Sequence, residues 1–335
     1  MSHKVRLEDI ARECRVTKGL VSRALAGKYN VGENTRSLII NKAVELGYDF
    51  DHLHSSKKKV VKVLLVISSS VLLRENFWQP IIKEIYSTLE QAKIKLEYFV
   101  YEEEQLDKDM LSKLDDKYVK AYIIMHSNPD SIFNYIRNTG KPIVEVDPKV
   151  FHVAGVTQIK FSNYNSTYYA TQHLIDLGHK IIAFYGADTN ATSFRERHEG
   201  FLACMDANKD IKGVNIIFDN NDGQYADNKA FKEALVKEKF TGLVCANDII
   251  ALNAYKTINQ LGLKIPDDVS VIGFDNIIDG ELVSPKLSTF NIARQEIGAE
   301  VARYLVNLFS GTQLAYSQIT VNCKYIEKES VLKRN

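Results

Sequence analysis

Cysteine is scarce: the 335 residues hold 4, Cys14, Cys204, Cys245 and Cys323, widely scattered, with no Cys-x-x-Cys pair and no histidine at zinc spacing. A disulfide framework and a recognisable metal centre are therefore not expected, and the thiols read as buried or idle groups in a reducing cytoplasm. Long apolar runs are missing, so no bilayer-spanning segment and no membrane partner are expected. The first residues, Met1 to Val5, carry no apolar signal core, so export is not expected either. Also absent are Gly-x-Ser-x-Gly, a Walker-type glycine loop, His-Glu-x-x-His and Gly-x-Gly-x-x-Gly. Without them neither a catalytic set, a cofactor nor an enzyme is expected. His179, at the end of a helical pattern, suits an ordinary capping or dipole role.

What is present is a globular composition, 45% hydrophobic and 25% charged. The length suits two or three domains. The formal net charge of +1 conceals an asymmetry: residues 1–59 hold 12 basic and 7 acidic side chains, and the rest holds 31 basic and 35 acidic. A basic head on a mildly acidic body suits a small DNA-reading domain on a neutral scaffold.

Leu7 to Leu25 reads as two short helices with a tight turn. Leu7, Ile10 and Ala11 share one face, and Leu20, Val21, Ala24 and Leu25 continue an apolar stripe on the second helix. Small Ala11 lets the helices cross closely, and Thr17 can cap the second one through its hydroxyl. The opposite face carries Lys18, Ser22 and Arg23. A short helix with polar and basic residues near its N-terminal end is what a DNA major groove admits.

On these residues the chain resembles the lactose-repressor/galactose-repressor (LacI/GalR) family. Asp9-Ile10-Ala11, Val16-Thr17 and Val21-Ser22-Arg23 match its helix-turn-helix, and Val31 to Arg36 with Leu46-Gly47-Tyr48 match its third helix and exit. The resemblance covers nearly the whole chain. It implies a three-helix DNA-binding head over residues 1–48. In it Lys18, Gly19 and Arg23 stand where the family reads bases, Thr17 and Ser22 where it touches phosphates, and Asn30 and Thr35 complete the DNA-facing set. Arg23 suits a guanine, whose two acceptors a guanidinium can pair; Lys18 is open between base and phosphate. Arg6, Arg15 and Leu20 depart from the family's usual threonine, turn glycine and threonine. Residues 49–59 are the linker, which in the family becomes a hinge helix whose leucine wedges into the minor groove. Here Leu53 is the only nearby leucine and falls off register, while Lys57, Lys58 and Lys59 suit phosphates, and a flexible tether is the alternative.

From residue 60 strands and helices alternate, which implies an α/β core of doubly wound parallel sheets. Strands are expected at 60–67, 95–101, 121–125, 143–146, 181–185, 214–218, 242–245 and 269–273, and helices over 77–93, 105–117, 130–138, 166–177, 194–207, 226–238 and 248–261. The resemblance makes residues 60–335 a two-lobed, periplasmic-binding-protein-like core. Lobe 1 takes about 60–160 and 291–319, and lobe 2 about 162–289 and 322–335, with crossings near 160–162, 289–291 and 319–322.

In open α/β sheets ligands sit beyond the strand carboxyl ends. Three polar stretches fall there: Ser193 to Phe201, Ala246-Asn247-Asp248 and Gly273-Phe274-Asp275-Asn276. They match the family's Arg-x-x-Gly-Phe, Asn-Asp and Gly-Phe-Asp signatures, and the run Leu261 to Gly273 is the most specific match. The resemblance makes Arg197, Asn247 and Asp275 the effector contacts. Forked donors, two acceptors and an amide suit a polyol, and Ser193 can add a hydroxyl. An Arg197–Asp275 ion pair is the alternative when the site is empty, and Asp248 reads as a helix cap. From lobe 1 come Ser69, beside Ser68 and Ser70, and Phe77 and Trp78, one of which is expected to pack rather than stack on a sugar. Asp147 is a weaker candidate, Ser162-Asn163 stands where Asp-Asn is common, and Phe290 lies at a crossing where it can line the cleft.

The expected protein is a homodimeric, cytoplasmic transcriptional regulator, a repressor in the main reading. Its partners are double-stranded operator DNA and a sugar-like effector bound between the lobes. The extra leucine-rich helix of tetrameric relatives is not found. The same build also admits a phosphocarrier protein as corepressor. A solute-binding protein and an enzyme on this scaffold are the more distant alternatives.

Overall fold

A computed structural model describes residues 5–25, 31–48, 61–72, 75–102, 105–126, 129–149, 153–188, 191–219, 228–312 and 318–334. Asn30, Leu53 and the 49–59 linker with Lys57, Lys58 and Lys59 lie outside the described residues. Contacts divide the chain into two units, Met1–Val60 and Val61–Asn335.

In the first unit α1 (Leu7–Glu13), α2 (Lys18–Leu25) and α3 (Glu33–Glu45) close on Ile10, Ala11, Val21, Ala24, Val31, Ile39 and Ala43. Arg6 makes no side-chain cap; its backbone N–H donates to Asp9 Oδ2 at 2.9 Å. The N–H of Leu20 donates to Thr17 Oγ1 at 3.3 Å, so the threonine begins α2 as its chemistry suggests. Arg15 adopts φ +53 in the turn between the helices. The left-handed turn is thus kept without glycine, at a cost of about 1 kcal/mol.

The second unit begins with β1 (Val61–Ser68), α4 (Ser69–Leu72), α5 (Glu75–Gln91), β2 (Ile94–Tyr101), α6 (Lys108–Ser112), β3 (Val119–Met125), α7 (Asp130–Asn138), β4 (Ile143–Val146) and β5 (Val156–Phe161). It continues through α8 (Asn163–Asp176), β6 (Ile181–Asp188), α9 (Thr192–Ala207), β7 (Lys212–Asp219), α10 (Asn228–Glu238), β8 (Gly242–Cys245), α11 (Asp248–Gln260), β9 (Ser270–Ile272), α12 (Asp279–Leu282) and β10 (Thr289–Asn291). It ends with α13 (Arg294–Phe309), β11 (Gln318–Val321) and β12 (Lys324–Ile326).

Two parallel sheets result, one per lobe, in the orders β11-β5-β4-β3-β1-β2 and β7-β6-β8-β9, with β10 and β12 paired antiparallel. The chain passes between lobes after β5, after β10 and after β11. Val63 to Ile67 of β1 are almost wholly buried, as a parallel strand covered on both faces must be. Among the described residues no helix is long and apolar enough to cross a membrane.

Beyond the expected elements the chain adds α4, α12, α13, β10, β11 and β12, and two further differences have a visible cause. The helix expected over 105–117 shrinks to Lys108–Ser112. Asp107 caps it through Met110 N–H at 2.8 Å, while Asp116 turns the following segment by accepting from Tyr118 N–H at 2.8 Å and from Lys62 Nζ at 2.6 Å. The strand β5 carries no apolar run, because two of its buried positions and the half-buried Lys160 are polar and paired. Thr157 donates to the Tyr304 hydroxyl at 2.8 Å, Gln158 donates to Glu145 at 2.9 Å, and Lys160 binds Glu196. Hydropathy cannot see a strand whose buried groups are satisfied this way.

His179 is not a helix cap. It is fully buried, with Nδ1 at 2.9 Å from Thr241 Oγ1 and Nε2 at 3.1 Å from the Leu332 carbonyl, tying the C-terminal segment to lobe 2. Burial and the nearby Arg334 charge push its pKa down to about 4. The folded protein holds the ring neutral, whereas the unfolded chain takes up a proton near the usual imidazole value. This contribution is therefore complete above about pH 6.5 and is lost as the pH falls toward 4. It amounts to about 3 kcal/mol at full protonation of the unfolded chain. His179→Gln, neutral throughout, is expected to flatten that part of the profile; urea melts of both proteins at pH 7.5 and 5 test it, and equal losses on acidification contradict it.

Candidate functional site

The strand ends of lobe 2 converge on one buried cation. Arg197, on the second turn of α9, is 3% exposed. Its Nε donates to Asn163 Oδ1 at 3.0 Å and its Nη1 to the Ala246 carbonyl at 2.6 Å. Nη2 stands 3.4 Å from Asp275 Oδ1, and the guanidinium lies 3.7 Å from the ring centre of Phe274. A charge so far from water needs such partners. They also give the signature residues physical roles. A Cβ on Gly200 would lie 2.3 Å from the Tyr164 carbonyl, so this glycine lets α9 cross α8 closely. A Cβ on Gly273 would lie 2.1 Å from Asp248 Oδ1, so that glycine leaves room for a buried carboxylate.

Asp275 is the strained member, at φ +109, a conformation that L side chains rarely adopt. Its backbone is held on both sides: its N–H donates to the Phe290 carbonyl at 3.0 Å, and its carbonyl accepts from Arg294 Nη2 at 2.7 Å. Its side chain is 14% exposed, and Oδ1 has no hydrogen bond of good geometry among the described residues. Burial raises its pKa, Arg197 and Arg294 oppose the rise, and Asp147 of lobe 1 adds to it. That last effect brings Asp147 and Asp275 within electrostatic reach across the lobes.

The cap at the start of α11 belongs to Asn247, not to Asp248. Asn247 Oδ1 accepts from Ile250 N–H at 2.9 Å, which leaves its amide N–H groups as the side chain's donors. Asp248 is fully buried one residue on, where Oδ1 accepts from Thr289 Oγ1 at 2.6 Å and Oδ2 from Ile277 N–H at 2.9 Å. Burial, then the charge of Asp275, push its pKa up to about 7. Asp248 thus ties the lobe 2 sheet to β10 at a crossing.

Lobe 1 presents a different set. Ser68 Oγ lies 3.3 Å from Val71 N and 3.1 Å from Ser70 Oγ, and Ser69 begins α4. Trp78 is 2% exposed and belongs to the core, so it is the packing member of the aromatic pair. Phe77 is half-buried, edge-on to Phe161 at 6.2 Å, with the Arg294 guanidinium 5.4 Å from its ring. Phe290 is 3% exposed, stacked on Phe274 at 5.4 Å behind the Arg197 shelf. Ser193 is buried at the start of α9, where its neighbour Thr192 donates to the Lys149 carbonyl of lobe 1 at 2.6 Å.

Sequence spacing did not single out three groups. His126 Nδ1 lies 3.3 Å from Asp147 Oδ2, with both residues at positive φ, +59 and +53, just past β3 and β4. Arg294 reaches the Asp275 carbonyl from the second crossing, and Glu196 meets Lys160 and Asn163. Each meets its partner across a long sequence separation, which no local pattern records.

In the first unit Thr17, Lys18, Gly19, Ser22 and Arg23 are all exposed, and Thr35 is half-buried. Lys18 Nζ lies 2.5 Å from Glu8 Oε1, an exposed pair of small energetic weight. A side chain at Gly19 would meet no atom within 4 Å.

Removing the α11 cap has a defined cost. Asn247→Ala is expected to destabilise the chain by about 1 kcal/mol, and Asn247→Asp to restore the loss while removing the amide donors. A urea midpoint unchanged in the alanine variant contradicts the cap assignment.

Comparison with known proteins agrees with this architecture. Residues 171–331 match the family described as periplasmic binding protein-like domain. The HTH-type transcriptional repressor PurR of Pasteurella multocida is 25% identical over 98% of this chain and 99% of its own. A Lac repressor dimer bound to operator and an anti-inducer superposes with a TM-score of 0.69 at 22% identity, over 98% of this chain and 100% of that one. A transcriptional regulator CelR in complex with cellobiose does so at 0.67 and 22%, with the same coverage. Similarity to PurR runs through head and core alike, while the two structures share the fold. Over nearly its whole length the chain is thus similar to an HTH-type transcriptional repressor, with a periplasmic binding protein-like domain over residues 171–331.

Proposed function

We propose that the chain is a DNA-binding transcriptional repressor whose hold on operator DNA is set by a sugar-like effector bound between the core lobes. The observation that carries the ligand reading is the Arg197–Asp275 pair. A buried guanidinium faces a strained carboxylate whose Oδ1 lacks a hydrogen bond among the described residues. A hydroxyl donates to that oxygen and accepts from Arg197 or from the Asn247 amide, which is polyol chemistry. Ser69, Ser193 and Phe77 line the remaining sides in this reading, with Trp78 and Phe290 as supports. CelR holds cellobiose on the same fold, which favours a sugar here.

The head acts through Thr17, Lys18, Gly19, Ser22, Arg23 and Thr35, all on or beside α2 and α3. Two heads on a cytoplasmic homodimer engage a pseudo-palindromic operator. Effector binding shifts the population between core states with different lobe closure, and the coupling needs only unequal ligand affinity for the two states.

Two outcomes test this. Arg23→Ala is expected to abolish the operator footprint selected by the wild-type protein while leaving ligand binding intact; an unchanged footprint removes Arg23 from the reading set. In calorimetry against cellobiose and a panel of hexoses and pentoses, one sugar is expected to bind wild type and lose at least tenfold in affinity with Asp275→Ala. No heat from any sugar, or equal affinity in the variant, contradicts the assigned site.

A further inference from the structure

Glu196 stands directly before Arg197 and is 6% exposed. A carboxylate at that depth must be paired and hydrogen-bonded. Its Oε1 binds Lys160 Nζ, from β5 of the lobe 1 sheet. Its Oε2 accepts from Asn163 Nδ2 at 3.0 Å, and Asn163 is 1% exposed at the first crossing between lobes. Asn163 Oδ1 in turn accepts from Arg197 Nε at 3.0 Å.

The order of charges determines how Asn163 lies. A carboxylate only accepts and a guanidinium only donates, so the amide between them satisfies both in a single orientation. Its NH2 must face Glu196 and its carbonyl must face Arg197. Reversing the amide would set donor against donor and acceptor against acceptor. Glu196, together with the Phe161 carbonyl that accepts from the same Nδ2 at 3.3 Å, therefore holds the acceptor that Arg197 finds, although it does not itself bond to Arg197. Lys160 fixes the other end of the chain of contacts to lobe 1.

We propose that Glu196 is a positioning residue: through Asn163 it orients Arg197 for the effector, and through Lys160 it links that orientation to the lobe 1 strand. The proposal rests on the reading of Arg197 as an effector group. In consequence, a shift of β5 relative to α9 alters the hydrogen bond at Arg197 Nε, and a ligand that moves Arg197 acts on the crossing. A neutral Gln at 196 both donates and accepts, so the amide of Asn163 keeps only the Phe161 carbonyl at 3.3 Å and Arg197 Nε as contacts that enforce its orientation, and the acceptor of Arg197 is held less firmly.

The test follows the Arg197 Nε–H proton directly, with no effector added, so it stands apart from any failure to find a sugar. In the 15N-labelled full chain the resonance is assigned by its loss in Arg197→Lys. Glu196→Gln is expected to speed its exchange with solvent at least tenfold. Glu196→Asp keeps the charge beside Lys160 but draws the carboxylate back from Asn163, and is expected to speed exchange as well; it carries the comparison if the glutamine variant does not fold. The double variant Lys160→Met/Glu196→Gln removes the unpaired buried cation and is expected to recover the thermal midpoint without recovering slow exchange. Exchange as slow as wild type in the single variants overturns the proposal. So does a double variant that restores exchange together with the midpoint, since the pair would then serve stability alone.

Discussion

Burying one guanidinium constrains most of what surrounds it. Arg197 cannot shed its proton, and at 3% exposure it cannot lean on water. Lobe 2 answers with an asparagine carbonyl, a backbone carbonyl, an aromatic face and a carboxylate at 3.4 Å. Each answer restricts an element. Asp275 accepts φ +109 to stand where it does, Gly273 stays without a side chain so that Asp248 fits behind, and Gly200 lets α9 approach α8. The family signatures are thus the steric and electrostatic conditions for holding one charge in place.

Without ligand the cation is already compensated. In the proposed reading a sugar takes over contacts that Arg197 and Asp275 give each other. Such an exchange limits affinity, because the ion pair must be loosened, and it favours polyols, which replace an acceptor and a donor together. Asp147 of lobe 1 adds to the rise in the Asp275 pKa that burial causes and Arg197 and Arg294 oppose. The direct Thr192 to Lys149 hydrogen bond and the Lys160–Glu196 pair hold the lobes together at the same end of α9.

The parts legible in the sequence were those with local periodicity or a short signature. Alternating apolar strands and amphipathic helices implied the doubly wound core, and Thr17, Ala11 and Val21 implied the helix-turn-helix. The strand-end rule together with the signatures placed Arg197, Asp275 and Asn247 at the ends of the lobe 2 strands, where the structure puts them. The strand β5 was not legible, because its buried Thr157 and Gln158 and half-buried Lys160 find partners outside the strand. The cap at α11 was placed one residue late, since Asn247 and Asp248 both suit that position and only the fold shows that Asp248 reaches Thr289 and Ile277 instead. His179 looked like a helix-end residue because its partners, Thr241 and Leu332, are remote in sequence. Glu196 stood unremarked within the polar stretch Ser193 to Phe201, and its contacts with Lys160 and Asn163 make it an interior group.

The central claim is that the effector enters by replacing contacts between Arg197 and Asp275. A crystal structure of the core with its bound sugar tests it most directly. The predicted result is a ligand hydroxyl within hydrogen-bond reach of Asp275 Oδ1 and of the Arg197 guanidinium, with the Nε contact to Asn163 retained. A sugar bound elsewhere, over an undisturbed Arg197–Asp275 pair, would contradict it.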